Sequence, residues 1–376
     1  MPAARGRPAL KIAYVCYWNL LSKDGVAEKI DAQVARWESA GHTVDVFCLS
    51  RGPARQDPTG RAWIRFPFAT LPGRVRATKS LVETVRGAAP DFVYLRYDLF
   101  VPPPVSLLRR HSSAVEVNSD DRREVRLRRE RAGLSTLYNE LNRRALLSSV
   151  DGIVCVTNEL AESPLFTSFG KPTVVIANGV DLDRIAPVPP ARNARPRIVF
   201  LGSRRQAWHG IDKIVWLAGA LPDADFEIVG YEPEDMPPGL PLNVRVHGIL
   251  ARADYEPLLA SSDLAIGTLA LHRKQMTEAC PLKVREYLAY GLPVVVAYED
   301  TDFIGEDDWF MLRLPNTETN VRDSVAEIRS FLDGIRGKRV PRDAVQDRIG
   351  SHAKEKLRLE FFHQLATAQP AASASS

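Results

Sequence analysis

Residues 11–49, KIAYVCYWNLLSKDGVAEKIDAQVARWESAGHTVDVFCL, decide how this chain folds. Ile12 to Cys16 is a short continuous apolar run, Ile30, Val34 and Trp37 recur at helical spacing, and Val44 to Leu49 is a second apolar run. Strand, helix and strand in that order make a β-α-β unit. Runs without polar alternation suit strands covered on both faces, as in a parallel sheet between two helix layers. His42, in AGHTV, reads as part of the turn between helix and strand.

The same rhythm continues outward. Strands are expected at Phe92 to Leu95, Ala114 to Val117, Ile153 to Val156 and Val174 to Ile176. A proline-rich break, APVPPARNARPR at 186–197, is the linker candidate. Strands then resume at Ile198 to Leu201, Phe226 to Val229, Val244 to Val246, Leu264 to Ile266 and Pro293 to Ala297. From Ser324 the pattern turns helical, with a final amphipathic run to about Leu365. At 376 residues the chain suits two domains rather than one. The fold class expected is α/β, two doubly wound parallel-sheet domains facing a central cleft where ligands bind.

Composition excludes several classes. The hydrophobic fraction of 45% and charged fraction of 26% are those of an ordinary globular protein, neither disordered nor fibrous. A formal charge of +4, from 50 basic and 46 acidic residues, does not point to nucleic acid. The densest basic cluster, Arg122, Arg123, Arg126, Arg128, Arg129 and Arg131, is interleaved with Asp120, Asp121, Glu124 and Glu130 and reads as a solvated face. An anionic acceptor or membrane headgroups are its functional alternative. Cys16, Cys48, Cys155 and Cys280 form no CxxC pair or disulfide framework, which fits a reducing cytoplasm. No secretory leader or membrane-spanning run is expected, and the tail ATAQPAASASS reads as disordered.

Chemistry concentrates in two stretches. Gly202-Ser203-Arg204-Arg205-Gln206-Ala207-Trp208-His209-Gly210 follows a strand and opens a helix, so backbone N–H groups and guanidinium forks could hold a diphosphate. The second, Met276 to Pro293, places Glu278 before a helix begun at Pro281 and Leu282, Glu286 within it, and Lys283 one turn ahead of Glu286. Two carboxylates at different depths can accept hydrogen bonds from sugar and ribose hydroxyls, and Lys283 can meet phosphate or simply pair with Glu286. In the first half, Asp24 and Gly25 lie in a strand-to-helix loop, and Glu116 and Asn118 close a strand. Asp24, Glu116 and Asn118 are the acceptor-side candidates, and Gly25 would let the backbone approach a ligand. No histidine pair has metal-ligand spacing, and no GxSxG elbow is present, so neither a metal centre nor hydrolase chemistry is expected.

Taken in order, these pieces resemble the retaining family 4 glycosyltransferases of GT-B fold, over nearly the whole chain. The residues carrying the resemblance are VIANGVDLDRI at 175–185, Glu278 and Glu286 in E-x7-E spacing, LAYGLPVV at 288–295, and HGILARADYEPLLASSDLAI at 247–266. The resemblance implies an acceptor-binding Rossmann-like domain at 1–188 and a nucleotide-sugar-binding one at 189–350. Residues 351–376 would be a helix packing back toward the first domain, with the disordered tail. It assigns Glu286 to the ribose, Glu278 to the donor sugar, the 202–210 loop to the diphosphate, and Gly248, Ile249 and Leu250 to the base. Leu282, Lys283 and Gly25 would flank the phosphates.

His209 stands where the family's commonest form has a lysine, which shifts the charge supply onto Arg204, Arg205 and Lys283. The implied reaction moves a sugar from a UDP or GDP sugar to an acceptor hydroxyl by front-face attack, with no metal or other cofactor. The acceptor is open among small natural product, lipid-linked sugar and glycan. A cytoplasmic protein, at most peripherally in contact with the inner membrane surface, is expected. A sugar-nucleotide epimerase and a non-catalytic nucleotide-sugar-binding partner are the competing readings.

Overall fold

The computed structural model describes residues 8–18, 25–51, 63–99, 101–127 and 133–368. Asp24, Arg128, Arg129, Glu130, Arg131 and the tail from residue 369, all singled out above, lie outside them. Two compact units form, residues 1–177 with 352–376, and residues 178–351.

The first unit holds β1 Lys11–Tyr17, β2 Thr43–Arg51, β3 Ile64–Phe68, β4 Phe92–Arg96, β5 Ser112–Val117, β6 Gly152–Cys155 and β7 Thr173–Val175. They make one sheet in the order β3-β2-β1-β4-β5-β6-β7, with every neighbouring pair parallel. Strand order reverses beside β1, between β2 and β4, so that the carboxyl ends of β1 and β4 open a crevice. β3 was not expected. Its sequence, IRFPF, is partly exposed and contains Pro67, which an edge strand tolerates because one side of its backbone needs no partner.

The second unit repeats the plan with β8 Arg197–Leu201, β9 Asp225–Val229, β10 Val244–Val246, β11 Leu264–Ile266, β12 Glu278–Ala279, β13 Val294–Val296, β14 Glu299–Asp300 and β15 Met311–Arg313. Its parallel sheet runs β10-β9-β8-β11-β13-β15, and β12 and β14 pair separately, also parallel. The chain therefore carries two doubly wound α/β domains.

The last helix, Ser351–Ala368, belongs almost wholly to the first unit. Phe361, Phe362 and Leu365 are buried among Trp37, Phe92 and Tyr94, and the Phe362 ring stacks on Phe92 with centroids 4.4 Å apart. Gly152 makes room for them, since a Cβ there would stand 2.6 Å from the Leu365 side chain and 2.7 Å from Phe361. Removing either phenylalanine side chain should cost about 3–5 kcal/mol of stability.

The units divide between Ala177 and Asn178, not at the proline-rich stretch around residue 188. Asn178 donates through Nδ2 to the Cys280 carbonyl at 2.8 Å, the Val180 N–H donates to Ile349 O at 2.8 Å, and Arg342 donates to Ile185 O at 2.6 Å. Prolines have no N–H to offer a sheet. Carbonyls of the proline-rich run are instead met by arginines of the second unit, Arg339 to Pro189 O at 3.1 Å and Arg336 to Asn193 O at 2.6 Å.

Candidate functional site

Three glycines bring the carboxyl ends of β8, β9 and β10 close together. Gly202 N–H donates to Val229 O at 2.9 Å and Gly230 N–H to Gly248 O at 2.7 Å. A Cβ on Gly230, whose φ is +89°, would lie 2.0 Å from Gly202 O, so no other residue fits that approach. Gly202 itself faces the rings of Tyr231 and Phe200, at 2.4 and 2.6 Å from where a Cβ would be. Gly248 (φ +70°) lies against the Glu232 carboxylate, while Ile249 beside it is exposed and Leu250 half-buried.

His209 sits on this floor. Its Nδ1 is 3.1 Å from the Tyr231 hydroxyl and 3.5 Å from the Ser203 N–H, and its ring meets the edge of Phe200 with centroids 5.6 Å apart. A backbone N–H can only donate, so Nδ1 is the acceptor and the imidazole proton is assigned to Nε2. Burial, reinforced by the charges of Lys283 and Lys274, holds the imidazolium well below its ordinary pKa. The ring is a neutral donor, not a substitute cation. Gly210, in the left-handed region at φ +74°, caps the following helix Ile211–Ala220.

The helix Leu282–Ala289 starts after Pro281, whose φ of −64° is ready-made for that position. It is fixed at both faces. Arg285, fully buried, donates to both oxygens of the buried Asp300 at 2.6 and 2.7 Å and to the half-buried Asp302 at 2.7 Å, and the Leu201 N–H donates to the Tyr287 hydroxyl at 2.6 Å. The first anchor ties the helix to β14, whose partner β12 carries the buried Glu278; the second ties it to the end of β8. Glu286, one turn on, accepts from the Tyr255 hydroxyl at 3.0 Å, with Arg252 Nη2 3.5 Å away.

Lys283 is the unusual group. Its Nζ is buried, has no hydrogen-bond partner among the described residues, and lies 4.1 Å from the centroid of the Phe200 ring. Burial pulls its pKa from 10.5 down to about 7. An unanswered buried ammonium is costly and calls for an anion.

The two arginines of the glycine loop differ from Lys283. Arg204 is exposed and forked onto Asp235, with Nη2 3.0 Å from Oδ1, and that partner raises its pKa. Arg205 is exposed and takes a left-handed backbone, φ 60°. Lys283, His209, Phe200 and Tyr231 are thus brought together, while Arg204 turns its charge to Asp235. Phe200, Tyr231, Tyr255 and Arg252 were not singled out from sequence, although the last two lie inside the quoted stretch 247–266.

In the first unit Glu116 is a correction. It has no exposure at all, and it is held by Lys29 at 2.7 Å, Arg96 at 2.8 Å and Arg358 at 3.5 Å, with the Tyr94 hydroxyl donating at 2.8 Å. Burial alone would raise its pKa; the three cations outweigh it and hold the carboxyl well below its usual range. Both oxygens are taken, so Glu116 is part of the core and not an acceptor contact. Asn118, half-buried, donates to the same carboxylate at 3.0 Å. Gly25 is exposed at the first turn of the helix Gly25–Ser39. A cavity of about 40 Å³ lies at the carboxyl ends of β1 and β4, lined by Val15, Leu81, Leu95 and Pro103 with Arg96 and Asp98.

Among the described residues no group of three or more His, Cys, Asp or Glu side chains is gathered as a metal cage, and no helix is long and apolar enough to cross a membrane.

Comparison with known proteins places this geometry. Residues 24–190 match the family described as glycosyl transferase 4-like domain. No curated protein sequence matches the chain. Among solved structures, sucrose-phosphate synthase from Thermosynechococcus elongatus superposes with a TM-score of 0.69 at 16% identity, covering 96% of this chain and 100% of that one. The lipopolysaccharide outer core galactosyltransferase WaaB gives 0.63 at 12% identity, covering 94% and 99%. An alpha-glucosyltransferase solved with UDP-glucose and DNA containing an abasic site gives 0.62 at 12%, covering 94% and 100%. At such identities the likeness speaks for the fold, and it agrees with the two parallel-sheet domains above. The chain thus has the fold of the GT-B glycosyltransferases, and its residues 24–190 are similar to the glycosyl transferase 4-like domain.

Proposed function

We propose that the second unit binds a nucleotide diphosphate sugar and that the enzyme transfers the sugar, with retention and without a metal ion, to a hydroxyl of an acceptor held by the first unit. The observation that carries this reading is the buried Lys283 ammonium with no hydrogen-bond partner among the described residues, above Phe200 and beside a neutral His209. A diphosphate supplies the missing negative charge. The helix begun at Ile211 adds its N-terminal dipole.

In this reading the ribose hydroxyls meet Glu286, which Tyr255 orients, and the sugar hydroxyls meet Glu278. The base lies along Gly248, Ile249 and Leu250. The acceptor oxygen attacks the anomeric carbon on the face from which the diphosphate departs, the C–O bond to phosphate breaks, and the leaving phosphate oxygen takes the acceptor proton. No protein nucleophile or base is needed. Lys283 stabilises the charge that grows on the diphosphate, with His209 donating one neutral hydrogen bond through Nε2. Arg204, already answered by Asp235, is a lesser contributor than the sequence implied. The solved alpha-glucosyltransferase complex with UDP-glucose makes UDP sugars the first donors to try, GDP sugars the second.

The test begins with thermal shift against UDP, GDP, ADP and dTDP sugars, because a ligand that binds only the folded state stabilises it. Product stereochemistry with the preferred donor follows. Wild-type turnover in Lys283→Ala at saturating donor would overturn the assignment. An epimerised donor formed without acceptor would overturn transfer itself.

A further inference from the structure

Three of the most exposed large apolar side chains of the first unit lie on two helices of one neighbourhood. Val75, on the helix Leu71–Ala88, is 65% exposed, and Leu137 and Leu141, on the helix Leu134–Ser149, are 56% and 59% exposed. On the second helix this face is apart from the core, and on the first Val75 stands two turns before the buried Val82. Leu81, Val82 and Val85 are buried on the first, and Asn139, Arg143, Leu146, Leu147 and Ser149 on the second. Leu137 and Leu141, four apart, share a helix face, and Arg144 follows one turn later. Arg74 joins the two helices, donating to the Tyr138 hydroxyl at 3.1 Å with its guanidinium 5.9 Å from the centre of that ring. Tyr138 is itself partly exposed, and Arg76 and Lys79 are exposed on the helix that carries Val75.

Charge is divided unequally between the units. Residues 1–177 with 352–376 hold 29 Lys and Arg against 20 Asp and Glu, a net +9, whereas residues 178–351 hold 21 against 26, a net −5. The overall +4 conceals this split. Exposed leucine, valine and tyrosine set among cations are the two chemistries of an anionic bilayer surface, where apolar tips enter the acyl boundary, tyrosine sits at headgroup level and basic groups meet phosphates. A nucleic acid would use the cations but has nothing to offer two exposed leucines. A second copy of this face would bring like charges together.

We propose that the face formed by Val75, Leu137, Tyr138 and Leu141, with Arg74, Arg76, Lys79 and Arg144, docks the first unit on an anionic lipid surface. It rests on exposure and charge alone and stands independently of the donor-site reading. The full chain, without donor, should co-sediment with vesicles of phosphatidylglycerol mixed into phosphatidylcholine. It should not do so with phosphatidylcholine alone, and raised salt should weaken the binding. Arg76→Ala and Lys79→Ala should each lower the partition about fivefold, the worth of one cation near such a surface. Leu137→Ser with Leu141→Ser should lower it further, with an unchanged melting curve because both side chains are exposed. Trp309→Ser, an exposed aromatic of the second unit, should leave it as it is. Wild-type partition in the double leucine variant overturns the proposal. So does binding to duplex DNA without binding to anionic vesicles, or a dimer in sedimentation that the leucine variant dissolves.

Discussion

Each unit buries one lysine in a functionally suggestive place, and the two have opposite surroundings. Lys29, in the first unit, contacts Glu116 at 2.7 Å and Asn118 at 3.5 Å; burial lowers its pKa to about 8, with Glu116 opposing. Lys283, in the second, lies over the Phe200 ring with no hydrogen-bond partner among the described residues, and burial lowers its pKa to about 7. A buried lysine whose partner is built into the fold belongs to the architecture. One whose partner is missing marks where a ligand completes the structure. The same residue type thus separates core from site once its partners are known.

The largest effect should come from breaking the completed side. Glu116→Ala would strand Lys29, Arg96 and Arg358 inside the first unit, and removing one member of a buried ion-pair set costs about 3–5 kcal/mol. Denaturant unfolding should register that loss; an unchanged midpoint would show that Glu116 is no hub. Lys283→Ala should do the reverse. Turnover at saturating donor should fall about 10²- to 10³-fold, as when one preorganised transition-state donor is removed, while the melting temperature holds or rises because an uncompensated charge has gone. Should the variant lose stability instead, Lys283 has a structural partner and the comparison collapses.

How much of this was legible in the sequence follows from the same contrast. Apolar runs such as Ile12 to Cys16 and Phe226 to Val229 announced their strands, because burial on both faces leaves a local signature. β3, β15 and the two-residue strands β12 and β14 left none, being short, peripheral or built on residues such as Glu278 and Asp300. Lys283 and Glu286 were readable because their spacing on one helix is local. Glu116 was not. Its position at the end of β5 suggested a ligand contact, and only partners distant in sequence, Lys29, Arg96 and Arg358, make it core. Likewise, nothing local to Arg204 reveals Asp235.

Protonation gives a sharper version of the lysine contrast. Between pH about 7 and 10.5 the unfolded chain keeps a proton on Lys283 that the folded chain has lost, so this group makes stability rise with pH across that window. Lys283→Met should therefore exceed wild type in stability by most below pH 7, with the advantage shrinking toward pH 10.5, as pH-resolved unfolding would reveal. Donor binding needs the charged form. Above pH 7 the dissociation constant should weaken by at most about tenfold per pH unit, and binding should take up a proton, visible calorimetrically as a dependence on buffer ionisation enthalpy. A pH-independent constant from 6 to 9 would mean that Lys283 is not what meets the anion.

Arg204→Ala supplies the smallest effect and the cleanest control. Arg204 is a cation of the glycine loop, expected from its position to share the charge work, yet its guanidinium is forked onto Asp235 at the surface. A diphosphate would have to compete with that carboxylate for it, and exposed pairs of this kind are screened and interchangeable with water. Turnover should change by less than about threefold, in line with the small worth of surface ion pairs. The single variant also frees Asp235, whose negative charge then stands nearer the donor's phosphates, so Arg204→Ala with Asp235→Ala should recover whatever the single change lost. If instead Arg204→Ala falls as far as Lys283→Ala and the double variant does not recover, the guanidinium leaves Asp235 when donor binds. A partner seen in the ligand-free chain would then no longer suffice to mark a cation as architecture.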